Sequence, residues 1–262
     1  MARYLRLYAY FLRFSFSRAM EFRLDFFFRI VMDTTFYAIQ IAFFGVLYRH
    51  TSMMGGWSFD QILIFIAGFF LVDALHMTFV ANNLWWFPFS VNKGDLDYYL
   101  VRPVSSLFFL SLREFAANSF VNLLMAAGIV TWALWRYPGS LGAGQIGLYL
   151  FFILNGALVF YIIHMCFLIP VFWMHSVRGL GDIFFSLQSY AQRPTAIFQG
   201  ITRRVLVTLL PLSLVASFPA EILFEGLTPG KLVHVTAVTI LAFAFLLLLW
   251  GRGLRAYSSA SS

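Results

Sequence analysis

Apolar residues in this chain come in long runs, not in the one-sided stripes of a water-soluble helix. Six runs reach the roughly 20 mostly apolar residues that a bilayer-crossing helix needs: 27–48, 61–86, 107–134, 146–173, 197–218 and 232–251. The fifth is the weakest, with Arg203 and Arg204 near its start and Pro211 inside. A lipid core leaves exposed backbone groups without partners, so such runs are helices. The alternation of barrel strands is absent. The pattern predicts an all-α integral membrane protein with six transmembrane helices in one domain over residues 1–262.

Composition agrees. Of 262 residues, 61% are hydrophobic and only 11% charged, against roughly 25% charged in a soluble domain. A chain this short cannot bury so much apolar surface in one aqueous core. The arginine-studded N-terminus has no clean apolar core with a cleavage site, so no cleavable signal is expected. Residues 1–26 predict an amphipathic arm lying in the membrane surface instead. At helical spacing Arg3, Arg6, Tyr10, Arg13, Ser17 and Glu21 fall on one arc of an otherwise apolar, aromatic helix. With the N-terminus inside, Arg49, Arg136 and Lys231 are the outer members of the 18 basic residues, and all others are inner. That bias predicts two cytoplasmic termini. It also accounts for the +7 net charge without a nucleic-acid partner.

Two interruptions stand out from the apolar runs. The first is "NKGDLDYYLVRP", residues 92–103, between the second and third runs. Gly94 is free to take positive φ. Asp95 can cap a short helix through Leu96, Asp97, Tyr98, Tyr99 and Leu100. Arg102-Pro103 stops it, and Pro103 suits the first turn of the next helix. Tyrosines and a leucine suit a docking knob better than a solvated linker. The second interruption is "LLPLSLVASFPAEILFEGLTPG", where Pro211, Pro219, Gly226 and Pro229 cut an apolar stretch into short pieces. It reads as a re-entrant outer segment, with Pro219 at the break and Glu221 and Glu225 at its mouth.

Chemistry for catalysis is missing. No phosphate-binding loop, HExxH, GxSxG or metal-spaced His/Cys cluster occurs, and Cys166 is the single cysteine. No catalytic residues, no metal and no cofactor of its own are expected. Polar residues inside the runs are few. A charge at mid-bilayer costs at least ~2.5 kcal/mol, so Asp73, with His76 three residues on, needs a partner. Asp73 is open to two readings, a solute path or a structural lock. Asp33 reads as the partner of Arg29, Glu114 as that of Arg113, and His164 as a bonded core histidine. Gln40 is deep enough to glue helices together.

Gly94-Asp95-Leu96-Asp97, Leu100, Arg102-Pro103 and Ser217-Phe218-Pro219-Ala220-Glu221, with the arm and six runs around them, resemble the membrane (permease) subunit of ABC-2 type exporters, within a prokaryotic ABC-2 transporter subgroup. The resemblance covers essentially the whole chain. It implies two copies of a separate ATPase subunit, which bind ATP and Mg, and a second permease subunit, as a homodimer or heterodimer. It makes Asp95, Leu96, Asp97, Tyr98, Arg102 and Pro103 the contacts with the ATPase. It makes Gln40, Asp73 and His76 pathway or dimer-seam residues, and places the protein in the bacterial inner (plasma) membrane with lipid around it. A rival from another class is a self-sufficient channel or proton-coupled carrier using Asp73 and His76. A third is a structural scaffold.

Overall fold

The computed structural model describes residues 6–11, 23–174, 176 and 178–258, without the side chains of 23–26 and 118. Arg3 and Arg13 of the expected arm lie outside that set. Arg6 lies in a short helix, α1, at residues 6–11. Helix α2 (Arg23–Leu47) follows, then α3 (Phe59–His76), which a π turn at Met77–Ala81 joins to α4 (Asn82–Lys93). A one-turn helix α5 (Asp97–Leu100) leads to α6 (Ser106–Leu112) and α7 (Phe120–Arg136). Then come α8 (Ala143–Leu168), α9 (Val171–Met174), α10 (Arg178–Ala191), α11 (Gly200–Arg204), α12 (Ser217–Glu225) and α13 (Pro229–Ala256).

The fold is all-helical among the described residues apart from one isolated bridge, Met54 to Trp57, in the α2–α3 turn. Four helices are long and apolar enough to cross a bilayer: Phe27–Leu47, Phe59–Lys93, Ala143–Met174 and Pro229–Ala256. They follow four of the six expected runs. The boundaries have local causes. Ser58 and Gln61 form a capping box that starts α3. Gly94, at φ 83°, closes α4 in the left-handed conformation that a residue with a Cβ resists. Thr228 caps α13, with Pro229 at its first position.

The two other runs are broken. Residues 107–134 divide into α6 and α7, because the backbone between them finds partners elsewhere. The Asn83 amide receives the Glu114 N–H at 2.9 Å and donates to the Glu114 carbonyl at 2.7 Å. The Ala116 N–H reaches the Thr78 carbonyl, at 2.9 Å. Thr78 has that carbonyl to offer because it sits in the π turn, where the helix's own ladder is shifted. Residues 197–218 likewise form no single helix. They run through α11, a π turn at Val205–Leu209, the bend at Pro211 and a 3-10 turn at Leu212–Leu214. Proline offers no N–H to continue a ladder.

Helix α3 is the hub. Of its most apolar window 72% is buried, against 11% for α2 and for α13. Two close approaches set its surroundings. A Cβ at Gly68 would lie 2.5 Å from the Tyr149 hydroxyl, so α8 packs tightly there. That hydroxyl is itself buried and donates to the Ile64 carbonyl at 3.0 Å. Two turns further along the same face of α8, a Cβ at Gly156 would lie 2.4 Å from the Val215 carbonyl oxygen. The broken segment from Pro211 to Ala220 is therefore buried throughout. A second apolar cluster joins α4, α5, α6, α9 and the end of α13, with Phe87, Phe172 and Trp250 in edge and tilted ring contacts.

Candidate functional site

The polar residues of the apolar runs meet along one helix that the hydropathy pattern does not mark as a span, α10. Its residues Phe184 and Gln188, continued by Gln192 just past its end, recur every four positions and form one line. Each takes a polar group from a different neighbour. Gln192 accepts from the Gln40 amide of α2 at 3.0 Å. Gln188 donates to the Asp73 carboxylate of α3 at 3.1 Å. Phe184 stacks on the His164 ring of α8, centroids 4.1 Å apart and 8° from parallel. His164 Nδ1 lies 3.0 Å from His76 Nε2, so one proton is shared between two buried imidazoles.

Gln40, Asp73 and His76 thus share one line of contacts inside this chain, a seam between α10 and its neighbours, and Gln188 is the partner that Asp73 needs. His164 is a bonded core histidine, as its setting predicts. Around Asp73, His76 and Gln188 the free space is only about 10 Å³, room for about one water. Around Gln40 and Gln192 it widens to about 250 Å³, lined also by Ile39, Phe43 and Arg193. Tight at one end and open at the other, the seam holds polar groups together without forming a channel through this one chain. Among the described residues no group of three or more His, Cys, Asp or Glu could hold a metal.

The interrupting segment 92–103 folds as a small knob. Asp95 does not cap it: Leu96 occupies that position, without a side-chain cap. Pro103 precedes α6 without entering its first turn, and Ser105 caps that helix, accepting from the Phe108 N–H at 3.4 Å. Leu96 and Tyr99 are buried and anchor the knob, while Asp95, Tyr98, Leu100, Val101 and Pro103 face outward. Arg102 stacks on Tyr98, 4.1 Å from the ring centre. Tyr257, just past α13, lies near the knob's carboxylates. Partial burial, and then Asp97 and Asp95, push its phenol up to about 12.

The knob is wired to the seam. Tyr99 accepts a hydrogen bond from Arg113. Arg113 pairs with Glu114 at 3.4 Å, and Glu114 accepts from Asn82 of α4 at 2.8 Å. From Asn82 the π turn leads directly into α3, where His76 and Asp73 sit. The expected Arg29–Asp33 pair is also present, at 3.9 Å. Pro219 and Glu221 of the segment expected to be re-entrant sit on α12, Pro219 buried in its first turn and Glu221 half-buried, while Glu225 pairs with Lys231 at 2.6 Å.

Sequence reading missed Gln188, Gln192 and Tyr99. Glutamines four apart on an amphipathic stretch were the available signal for the first two. The docking-knob pattern puts Tyr99 on the exposed face with Tyr98, whereas the structure buries it.

A hub helix with deep polar groups and apolar helices exposed around it define a multi-pass membrane protein. Residues 34–261 match the family model described as ABC-2 family transporter protein, and the chain belongs to that family. No curated protein and no solved structure matches it.

Proposed function

We propose that this chain is the permease subunit of an ATP-driven ABC-2 exporter in the bacterial inner membrane. It pairs with a second permease subunit, a copy or a sister chain, and takes its energy from two separate ATPase subunits that bind ATP and Mg. The chain itself is non-catalytic. Both termini face the cytoplasm and six segments cross, α6–α7 and α11–α12 serving as interrupted crossings. The observation that carries this reading is the build of the knob. Leu96 and Tyr99 root it, Asp95, Tyr98, Leu100 and Val101 are exposed on its outer face, and one unbroken run of 35 helical residues, Phe59–Lys93, links it to Asp73 and His76. ATP-driven movement of the ATPases would push the knob, and α4–α3 would carry that push to the seam. Mechanically stiff elements transmit displacement in this way when they have two packings to choose from.

The test uses the complex in proteoliposomes. Asp95→Lys combined with Tyr98→Ala changes two outward residues and leaves Leu96 and Tyr99 in place. The variant is expected to insert normally and to lose permease-dependent stimulation of the ATPase by tenfold or more, on the order of a lost interface hot spot. Undiminished stimulation would refute the docking role. Solute movement by the permease alone, driven by a proton gradient and abolished by Asp73→Asn, would favour the self-sufficient carrier instead.

A further inference from the structure

Helix α1 is docked on the knob side of the molecule. Leu7 and Phe11 pack on the second apolar cluster, and the Phe11 ring meets Phe109 edge-on at 5.3 Å. The docking leaves a cavity of about 500 Å³ between the arm and the loop that follows the knob. Arg6, Leu7 and Tyr10 line one wall, and Arg102, Val104 and Phe109 the other. Neither arginine belongs to any of the ion pairs formed among the described residues. Arg102 is held by its faces, 4.1 Å from the Tyr98 ring centre and 5.2 Å from that of Phe109. A guanidinium stacked on its faces keeps its in-plane N–H groups for an acceptor.

Two cations on one cavity repel each other unless an anion sits between them. We propose that this cavity binds the phosphate of an anionic phospholipid headgroup, clamped between Arg6 of the arm and Arg102 beside the knob. Arginine suits phosphate because its fork of donors matches two oxygens at once. The space is far larger than a bare phosphate needs. Its apolar flank of Leu7, Val104 and Phe109 suits the glycerol and the first methylenes of a lipid. An amphipathic arm belongs at headgroup depth, where such a lipid is found. The bound lipid fastens the arm to the loop that follows the knob, so the membrane's anionic lipid content sets how firmly the knob is held. This site needs the chain to lie in a membrane but does not need an ATPase partner.

The experiment uses the purified full-length permease in detergent, without nucleotide or ATPase, so its failure would leave the exporter reading intact. Equal amounts of phosphatidylglycerol and phosphatidylcholine are added, and retained lipid is counted by native mass spectrometry. The wild type is expected to keep phosphatidylglycerol in preference. Arg6→Gln and Arg102→Gln should each weaken retention about fivefold, the worth of one basic side chain beside an anionic lipid. Arg252→Gln, away from the cavity, should leave it unchanged. If Arg102→Gln fails to fold, Arg6→Gln on the exposed arm carries the test alone. Equal retention of both lipids, retention unchanged in Arg6→Gln, or full displacement by millimolar inorganic phosphate would overturn the proposal.

Discussion

Asp73 shows what a single buried carboxylate demands. Its oxygen takes a proton donor from Gln188, a residue 115 positions away in sequence. Removing one side of such a pair leaves the other buried and unsatisfied, at a cost of about 1–3 kcal/mol, whereas removing both can be nearly neutral. Gln188→Leu is therefore expected to lower thermal stability in detergent, and Asp73→Leu combined with Gln188→Leu to restore most of the loss. A double-mutant cycle on the melting temperature checks this, and additive losses would show that the two side chains do not interact. At this scale the sequence marks the need but not the partner. Apolar surroundings expose Asp73 and His76 at once, because polar groups in hydrocarbon are expensive. Nothing local says which residue answers them. Gln188 lies on a helix whose polar face resembles that of any surface helix until it is seen against α3.

Among the elements, the π turn at Met77–Ala81 decides how the knob meets the seam. It turns the Thr78 carbonyl toward the Ala116 N–H and lets the Thr78 hydroxyl donate to the Ser119 carbonyl at 3.2 Å. Those bonds hold open the break between α6 and α7. Deleting Val80 would return the turn to α-helical geometry, so that an N–H of the same helix claims the Thr78 carbonyl and Ala116 loses it. Expression in the membrane should persist, because the apolar runs are untouched, while stimulation of the partner ATPase should fall to the basal rate. Stimulation retained at the wild-type level would mean that the π turn does not set how the knob meets the seam. The run at 107–134 reads as one span because hydropathy measures composition, and Arg113 with Glu114 is too brief a polar step to register. Its break depends on Asn83 and Thr78, which belong to another element. The other interrupted run is more legible, since Pro211 lies inside it and cuts its own ladder, and no distant residue is needed to see it.

At the scale of the whole molecule, α2 and α13 are equally exposed along their apolar windows, yet they differ in what they expose beside them. Around α13 the outward residues Ile240, Leu241, Phe245 and Leu248 are apolar and suit lipid. Beside α2 the outward Ile39 and Phe43 border the cavity that also holds Gln40, Gln192 and Arg193. Polar groups facing hydrocarbon need protein or water next to them, so the α2–α10 face is the one that a second permease subunit would cover. In the proposed pair the wide end of the seam would sit at the junction of two subunits. A background with Cys166→Ala removes the single native thiol. In that background Ile39→Cys should give an oxidant-dependent product at twice the 30.0 kDa of the chain, or a cross-link to a sister permease carrying a cysteine at the matching position. Leu248→Cys on α13 should give neither. Efficient cross-linking through α13 with none through α2 would turn the pair around and leave the polar cavity facing lipid, an arrangement that the cost of exposed polar groups argues against.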